Sequence, residues 1–268
     1  MTNNNNNRDL RIRIRRILAL VRKNIALYFK KGPVIVFGLL FPFFITLSWI
    51  IGRNLSIQQV FVGIVAMSTF FSATAISPVV IPIETREKSL ERELSSPLHI
   101  SDIILGIIIG SSIYAFFMSI LVFIVFLPFL PAGTLTFLEI CVIIAGILMI
   151  CILGSVIGTL VSAYPTDMTS NVMVIMNLIK FPLLFISGIF FPISNISPIS
   201  RIFVHISPIT YIVDILWYAT SDLNIFPIWM DLCLLLVWIV VLYFISQKIH
   251  EKTIQKRISL GGKRPHRN

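Results

Sequence analysis

The chain has 268 residues, of which 56% are apolar and 13% charged, with a formal net charge of +10. Soluble domains carry about a quarter charged residues, so a mean hydropathy of +0.92 excludes a globular enzyme with a greasy core and places the chain in a membrane. Nine of the 22 Lys and Arg precede Pro33 and seven follow Ser246; both groups abut apolar runs, which points to anionic lipid headgroups and away from nucleic acid.

Residues 1–8, with five consecutive Asn, read as a disordered leader, and no cleavable signal peptide precedes the first apolar run. Over residues 9–29, Leu10, Ile14, Ile17, Leu18, Val21, Ile25 and Tyr28 recur at helical spacing, while Arg8, Arg11, Arg15 and Arg22 take the other side. This pattern predicts an amphipathic helix lying on the cytoplasmic leaflet. A basic anchor that only sets topology is compatible with it.

A hydrocarbon core of ~30 Å needs about 20 apolar residues per helix. Six runs qualify: residues 34–51, 59–83, 103–127, 137–163, 172–191 and 228–246. Pro42, Pro78 and Pro182 lie inside them, which neighbouring helices allow by satisfying the freed backbone. Gly106–Gly110 and Gly154–Gly158 have the small-residue spacing of close helix packing. Cytoplasmic loops are enriched in Lys and Arg. The N-terminal segment, the loop after the second run and the C-terminal tail hold nineteen of them; the loops on the other side hold only Arg53 and Arg201. Both termini are therefore expected in the cytoplasm of a multi-pass protein of the plasma membrane. A single six-span transmembrane domain is expected over residues 9–246, with residues 247–268 as a basic cytoplasmic tail.

The segment between the second and third runs, Glu84 to Leu94, contains seven of the 34 charged residues. It cannot lie in lipid. A short surface helix with both charge signs and a Leu90/Leu94 edge suits docking onto a soluble protein, with Arg86, Glu87, Leu90, Glu91 and Leu94 as the docking face. Lys180 sits in the fifth run between Asn177 and Pro182. Charge at that depth is costly, which leaves two readings for Lys180 and Asn177: a contact in a translocation path or subunit interface, or a structural pair of Lys180 with a neighbouring helix, Glu139 or Asp167. Between the fifth and sixth runs the chain is too apolar for a free loop and too often broken by Pro for a span. Two short re-entrant helices in the outer leaflet fit it; a packed extracellular loop is the other reading.

Catalytic signals are sparse. No G-x-x-x-x-G-K-[ST] sequence occurs, so nucleotide phosphates are not held here by a P-loop. His99, His205, His250 and His266 lack metal-ligand spacing, and Cys141, Cys151 and Cys233 all lie in apolar runs. No catalytic, cofactor-binding or metal-binding residue is assigned, and the energy for any work comes from a partner or an ion gradient. Asn54 and Asn195 match the short glycosylation acceptor pattern.

Three features together resemble the permease subunit of a type-2 ABC exporter, of the multidrug or daunorubicin-resistance kind. The first is the basic helix before the first run. The second is the Glu/Arg segment with Pro97-Leu98, Asp102 and Gly106 after it. The third is Ser187-Gly188-Ile-Phe-Phe191-Pro192 followed by Ser207-Pro208-Ile-Thr-Tyr211-Ile-Val-Asp214. Ser207 stands where the family usually has Asn and Ile209 where it has Leu; Trp217-Tyr218 occupies a place where Arg is frequent. The resemblance implies an all-α integral membrane fold with six transmembrane helices, an N-terminal amphipathic interfacial helix, a cytoplasmic coupling helix between spans two and three, and short re-entrant outer helices between spans five and six. It implies two permeases, identical or paralogous, each on a separate ATP-binding subunit that carries the ATP and magnesium. A hydrophobic, amphiphilic or drug-like substrate would then move outward. Export of a lipid-linked polysaccharide or ions, and gradient-driven secondary transport, are the alternatives. Arg11, Arg15 and Arg22 would lie at the membrane interface, and Gly188, Phe191, Pro192, Pro208, Tyr211 and Asp214 in the outer segment.

Overall fold

The computed structural model describes residues 2–28, 36–96, 98–190, 204, 206–221 and 223–261, and these are helices and short connections. Helix α1 (Thr2–Tyr28) begins earlier than the apolar periodicity suggests and takes in the Asn run. A π-helical turn (Val36–Leu40) leads into α2 (Phe41–Ile50). The irregularity has a local cause. Pro42 has no N–H for the carbonyl of Gly38, and Ser72 Oγ donates to that carbonyl instead, at 2.8 Å. The first expected span therefore appears as a π-turn and a ten-residue helix, with residues 29–35 outside the described ones.

The second expected span is two helices, α3 (Ile57–Ala73) and α4 (Ser77–Arg86). A reciprocal cap between Ser56 and Gln59 starts α3. Pro78 ends its continuity, because a proline lacks the donor for, and clashes with, the carbonyl four residues before it. Hydroxyls add hydrogen bonds to the carbonyls around the break. Thr74 Oγ1 donates to Phe70 O at 2.8 Å, while Ser77 and Ser155 both donate to Ala73 O at 3.4 Å.

A short helix α5 (Ser89–Leu94) follows, then α6 (Ile100–Phe126) with a 3₁₀ turn at its end (Leu127–Phe129), and α7 (Phe137–Val161), opened by a Thr136/Glu139 capping box. Next come α8 (Thr169–Ile186), α9 (Ile209–Ser221) and α10 (Ile228–Gly261). Among the described residues five helices are long and apolar enough to cross a membrane: Ile57–Arg86, Ile100–Phe129, Phe137–Val161, Thr169–Ile186 and Ile228–Ile254. Helix α3 is the centre of the bundle; every residue from Val60 to Ala73 is buried, against α6, α7 and α9. Helices α8 and α10 are peripheral and show apolar side chains outward, among them Val174, Leu178, Val237 and Phe244, as lipid-facing surfaces do.

Both G-x-x-x-G motifs act within the bundle. Gly106 and Gly110 receive α1: a Cβ on Gly106 would meet Leu20 Cβ at 2.7 Å, and one on Gly110 would meet Asn24 Cβ at 3.2 Å. Gly154 and Gly158 receive the break in the second span. A Cβ on Gly154 would meet Ala73 Cβ at 2.5 Å, and one on Gly158 would meet Ser77 Oγ and Pro78 Cδ.

Candidate functional site

One end of the bundle gathers most of the charge that carries a partner. Helix α1 lies on α6 through Leu20, Val21 and Asn24, all buried, with Ile17 half-buried beside them. This stripe is rotated from the one that periodicity alone picks out: Ile14 and Leu18 are exposed. Arg11, Arg15 and Arg22 are exposed as well, so α1 presents a mixed basic and apolar surface outward, the composition of a helix at a headgroup boundary.

Two basic residues of α1 reach inward. Arg13 Nε pairs with Asp102 Oδ1 at 2.7 Å. Asp102 stands in the first turn of α6, its side chain fully buried, and Oδ2 also accepts from the His99 backbone N–H. A carboxylate in a first turn is favoured by the unpaired N–H groups and the helix dipole. Lys23 Nζ donates to both Glu84 Oε1 and Glu93 Oε1. Burial by itself would lower the pKa of this ammonium, but the charges and hydrogen bonds of Glu84 and Glu93 outweigh it and hold it above its ordinary value. The three groups come from α1, the end of α4 and α5, so a single side chain ties three helices together.

Between α4 and α5, Lys88 adopts the left-handed region at φ 56°. The chain turns there and lays α5 back on the bundle. Leu90 is 3% exposed, packed with Ile81 and Ile103, and Leu94 is half-buried against the same cluster. Ile254, Thr253 and His250 of α10 border the same spot. The Leu90/Leu94 edge expected to face a partner therefore anchors α5 instead. A six-residue helix with one apolar edge buries that edge when a core lies beneath it. Outward stand Arg86, Glu87, Lys88 and Arg92, all exposed, with Glu91 half-buried beside them.

The remaining expected residues lie elsewhere. Lys180 is 2% exposed at the junction of α8 with α2 and α3, its Nζ 4.5 Å from the centroid of the Phe71 ring. It pairs with neither Glu139, which caps its own helix, nor any other described acid. Asn177 is half-buried one turn earlier. Gly188 is buried at φ 79°; Phe191 and Pro192 fall outside the described residues. Pro208 is buried just before α9, and Tyr211 and Asp214 are buried within it. The Asp214 carboxylate accepts the backbone N–H groups of Ile225 and Phe226, each at 2.9 Å, and so fixes the turn from α9 into α10. The two short outer helices expected here fall largely on residues 191–203, outside the described ones; the described part of this region holds a thirteen-residue helix with nearly every side chain buried. Sequence reasoning missed Lys23, Arg13 and Glu93 as members of the cluster, since no local spacing joins α1 to a segment some sixty to ninety residues on.

A helical bundle with five apolar helices of membrane-crossing length and a charged cluster at one end defines a multi-pass membrane protein. Residues 15–220 match the profile of the ABC-2 type transporter family, from the middle of α1 through α9. The chain belongs to that family and is an ABC-2 type permease. A comparison with curated proteins finds no match.

Proposed function

We propose that this chain is the membrane half of an ATP-driven exporter that moves a hydrophobic, amphiphilic or drug-like substrate outward. In this reading the bundle crosses the membrane six times with both termini in the cytoplasm, α2 supplying most of the first crossing. A second permease pairs with it, and a separate ATP-binding subunit binds ATP and magnesium. The docking face is Arg86, Glu87, Glu91 and Arg92, with Lys88 at the turn.

One observation carries the proposal. Helix α5 is held from beneath by Leu90 and from the side by Lys23 on Glu84 and Glu93, while its charged face is left outward. A surface held by buried contacts can pass a push from a soluble partner into α1, α4 and α6, whereas a floppy loop would absorb it. The charge pattern, two bases and two acids around one turn, suits a partner chosen by electrostatic complementarity.

The test is purification of the tagged chain in mild detergent from native membranes, with mass spectrometry and an ATPase assay on the eluate. A stoichiometric subunit with a P-loop and ATPase activity, lost in Glu87→Arg/Arg92→Glu while the bundle melts unchanged, is the expected result. Recovery of a well-folded permease with no ATPase partner would overturn the proposal and favour gradient-driven transport.

A further inference from the structure

Helix α8 turns one stripe inward: Val172, Met176, Lys180 and Leu184, at successive four-residue steps. Three of the four are apolar, as the periodicity of a buried face requires. The third is a lysine, among the largest fully buried side chains of the described residues. Its surroundings are aromatic. The Phe71 ring lies 4.5 Å from Nζ, and Phe41, Phe71 and Phe181 form a closed triangle with centroid separations of 5.3, 6.2 and 6.2 Å. Among the described residues Nζ makes neither an ion pair nor a hydrogen bond. The face of a ring attracts an ammonium, yet it offers no lone pair to three N–H donors. A buried ammonium without an acceptor costs several kcal/mol, which a Leu or Met at the same stripe position would avoid.

We propose that Lys180, over the Phe71 ring against which Phe41 and Phe181 pack, is the recognition point for an anionic amphiphile. The carboxylate or phosphate head pairs with the ammonium and supplies its missing acceptors, and the apolar body lies along the rings. The outer faces of the same two helices are apolar: Phe43, Phe44 and Leu47 on α2 and Leu178 and Phe185 on α8 are all exposed. A ligand that approaches between these helices meets apolar surface first, which favours an amphiphile over a bare anion. This assignment rests on the permease reading and adds to it the charge of the substrate head.

The experiment uses the purified full-length chain in phosphatidylcholine nanodiscs and a matched pair of fluorescent probes, an NBD-labelled dodecanoate and its methyl ester. The wild type should bind the carboxylate roughly tenfold more tightly than the ester, the worth of one well-placed charge contact. Lys180→Met should abolish that preference, keep the affinity for the ester, and raise the melting temperature, since it fills the stripe without an unpaired charge. Lys180→Arg should keep the preference. If the wild type shows no preference, or Lys180→Met retains it, or Lys180→Met melts lower, the assignment is wrong. Phosphatidylglycerol in the discs separates two sources of the anion: competition with the probe makes a membrane lipid the occupant, and its absence a free amphiphile, both supporting the site. None of these readouts needs ATP, so failure of an ATP-binding subunit to co-purify would sink the exporter reading while leaving this result standing.

Discussion

Alanine at Gly154 is the sharpest test of how the bundle is put together. In an ordinary helix interior the change from Gly to Ala stabilises by about 1 kcal/mol. Here the new Cβ would lie 2.5 Å from Ala73 Cβ, whereas carbon atoms prefer about 3.5–4.0 Å. Neither atom sits on a rotatable arm, so α7 and the end of α3 must move apart by about 1 Å. Overpacking of this kind costs about 1–3 kcal/mol. The separation also stretches the Ser155 hydrogen bond to Ala73 O, already 3.4 Å long, at a further cost of about 1 kcal/mol. The net expectation for Gly154→Ala is a loss of about 2 kcal/mol, seen as a fall of about 5 °C in a tryptophan-fluorescence melt in mild detergent. Ala73→Gly removes the obstacle, so the double variant should melt close to Ala73→Gly alone, giving a strong coupling between the two sites. A Gly154→Ala protein as stable as the wild type, or one whose full loss persists in the Ala73→Gly background, would refute the account of the second span as a broken helix seated on two glycines.

Lys88→Gly should stabilise by about 1 kcal/mol, because the left-handed conformation at φ 56° is strained for a residue with a Cβ; the same melt reads it. Lys23→Met should lower the melting temperature, because it leaves Glu84 and Glu93 face to face. The second change Glu93→Gln should recover much of the loss. Asp102→Ala should cost about 2 kcal/mol, the sum of a lost helix cap and a half-exposed ion pair. Arg13→Met should cost about as much, since the cap remains but the buried carboxylate loses its counter-charge. Leu90→Asp should unfold the α5 end of the bundle and cost about 3 kcal/mol or more, whereas Glu87→Arg on the exposed face should leave the melt within about 0.5 kcal/mol, a contrast that separates anchoring from docking.

Composition and hydropathy were enough to read a membrane bundle and to place the starts of its five long crossing helices to within three residues, because lipid imposes a single dominant requirement on helix length; their ends were less legible, the last running eight residues past the expected 246. Ile57–Arg86 was legible as a span but not as a broken one. Pro78 was visible in the sequence, but whether a proline bends or interrupts a buried helix depends on which hydroxyls and glycines meet it, here Ser155, Gly154 and Gly158. The charged segment stood out for the same reason the spans did. Its orientation did not, since Leu90 looks like an exposed edge until Ile81 and Ile103 are known to lie beneath it. Pairs such as Lys23 with Glu84 join distant parts of the chain, and periodicity carries no information across such distances. The starts of α3 and α7 were readable in principle from Ser56-x-x-Gln59 and Thr136-x-x-Glu139, each a reciprocal cap.

The last helix, with 34 residues, is about 51 Å long at 1.5 Å per residue, well beyond the ~30 Å of a hydrocarbon core. Its far portion is what brings His250, Thr253 and Ile254 to the border of the Leu90 anchorage. The ribosome delivers α1, α4, α5 and α6 before this wall. A nascent chain can thus lay down α4, α5 and α6 long before the seat of Leu90 is closed. A permease cut short within α10 would present an unsupported α5, so the order of synthesis itself would withhold the α5 surface until α10 has been made.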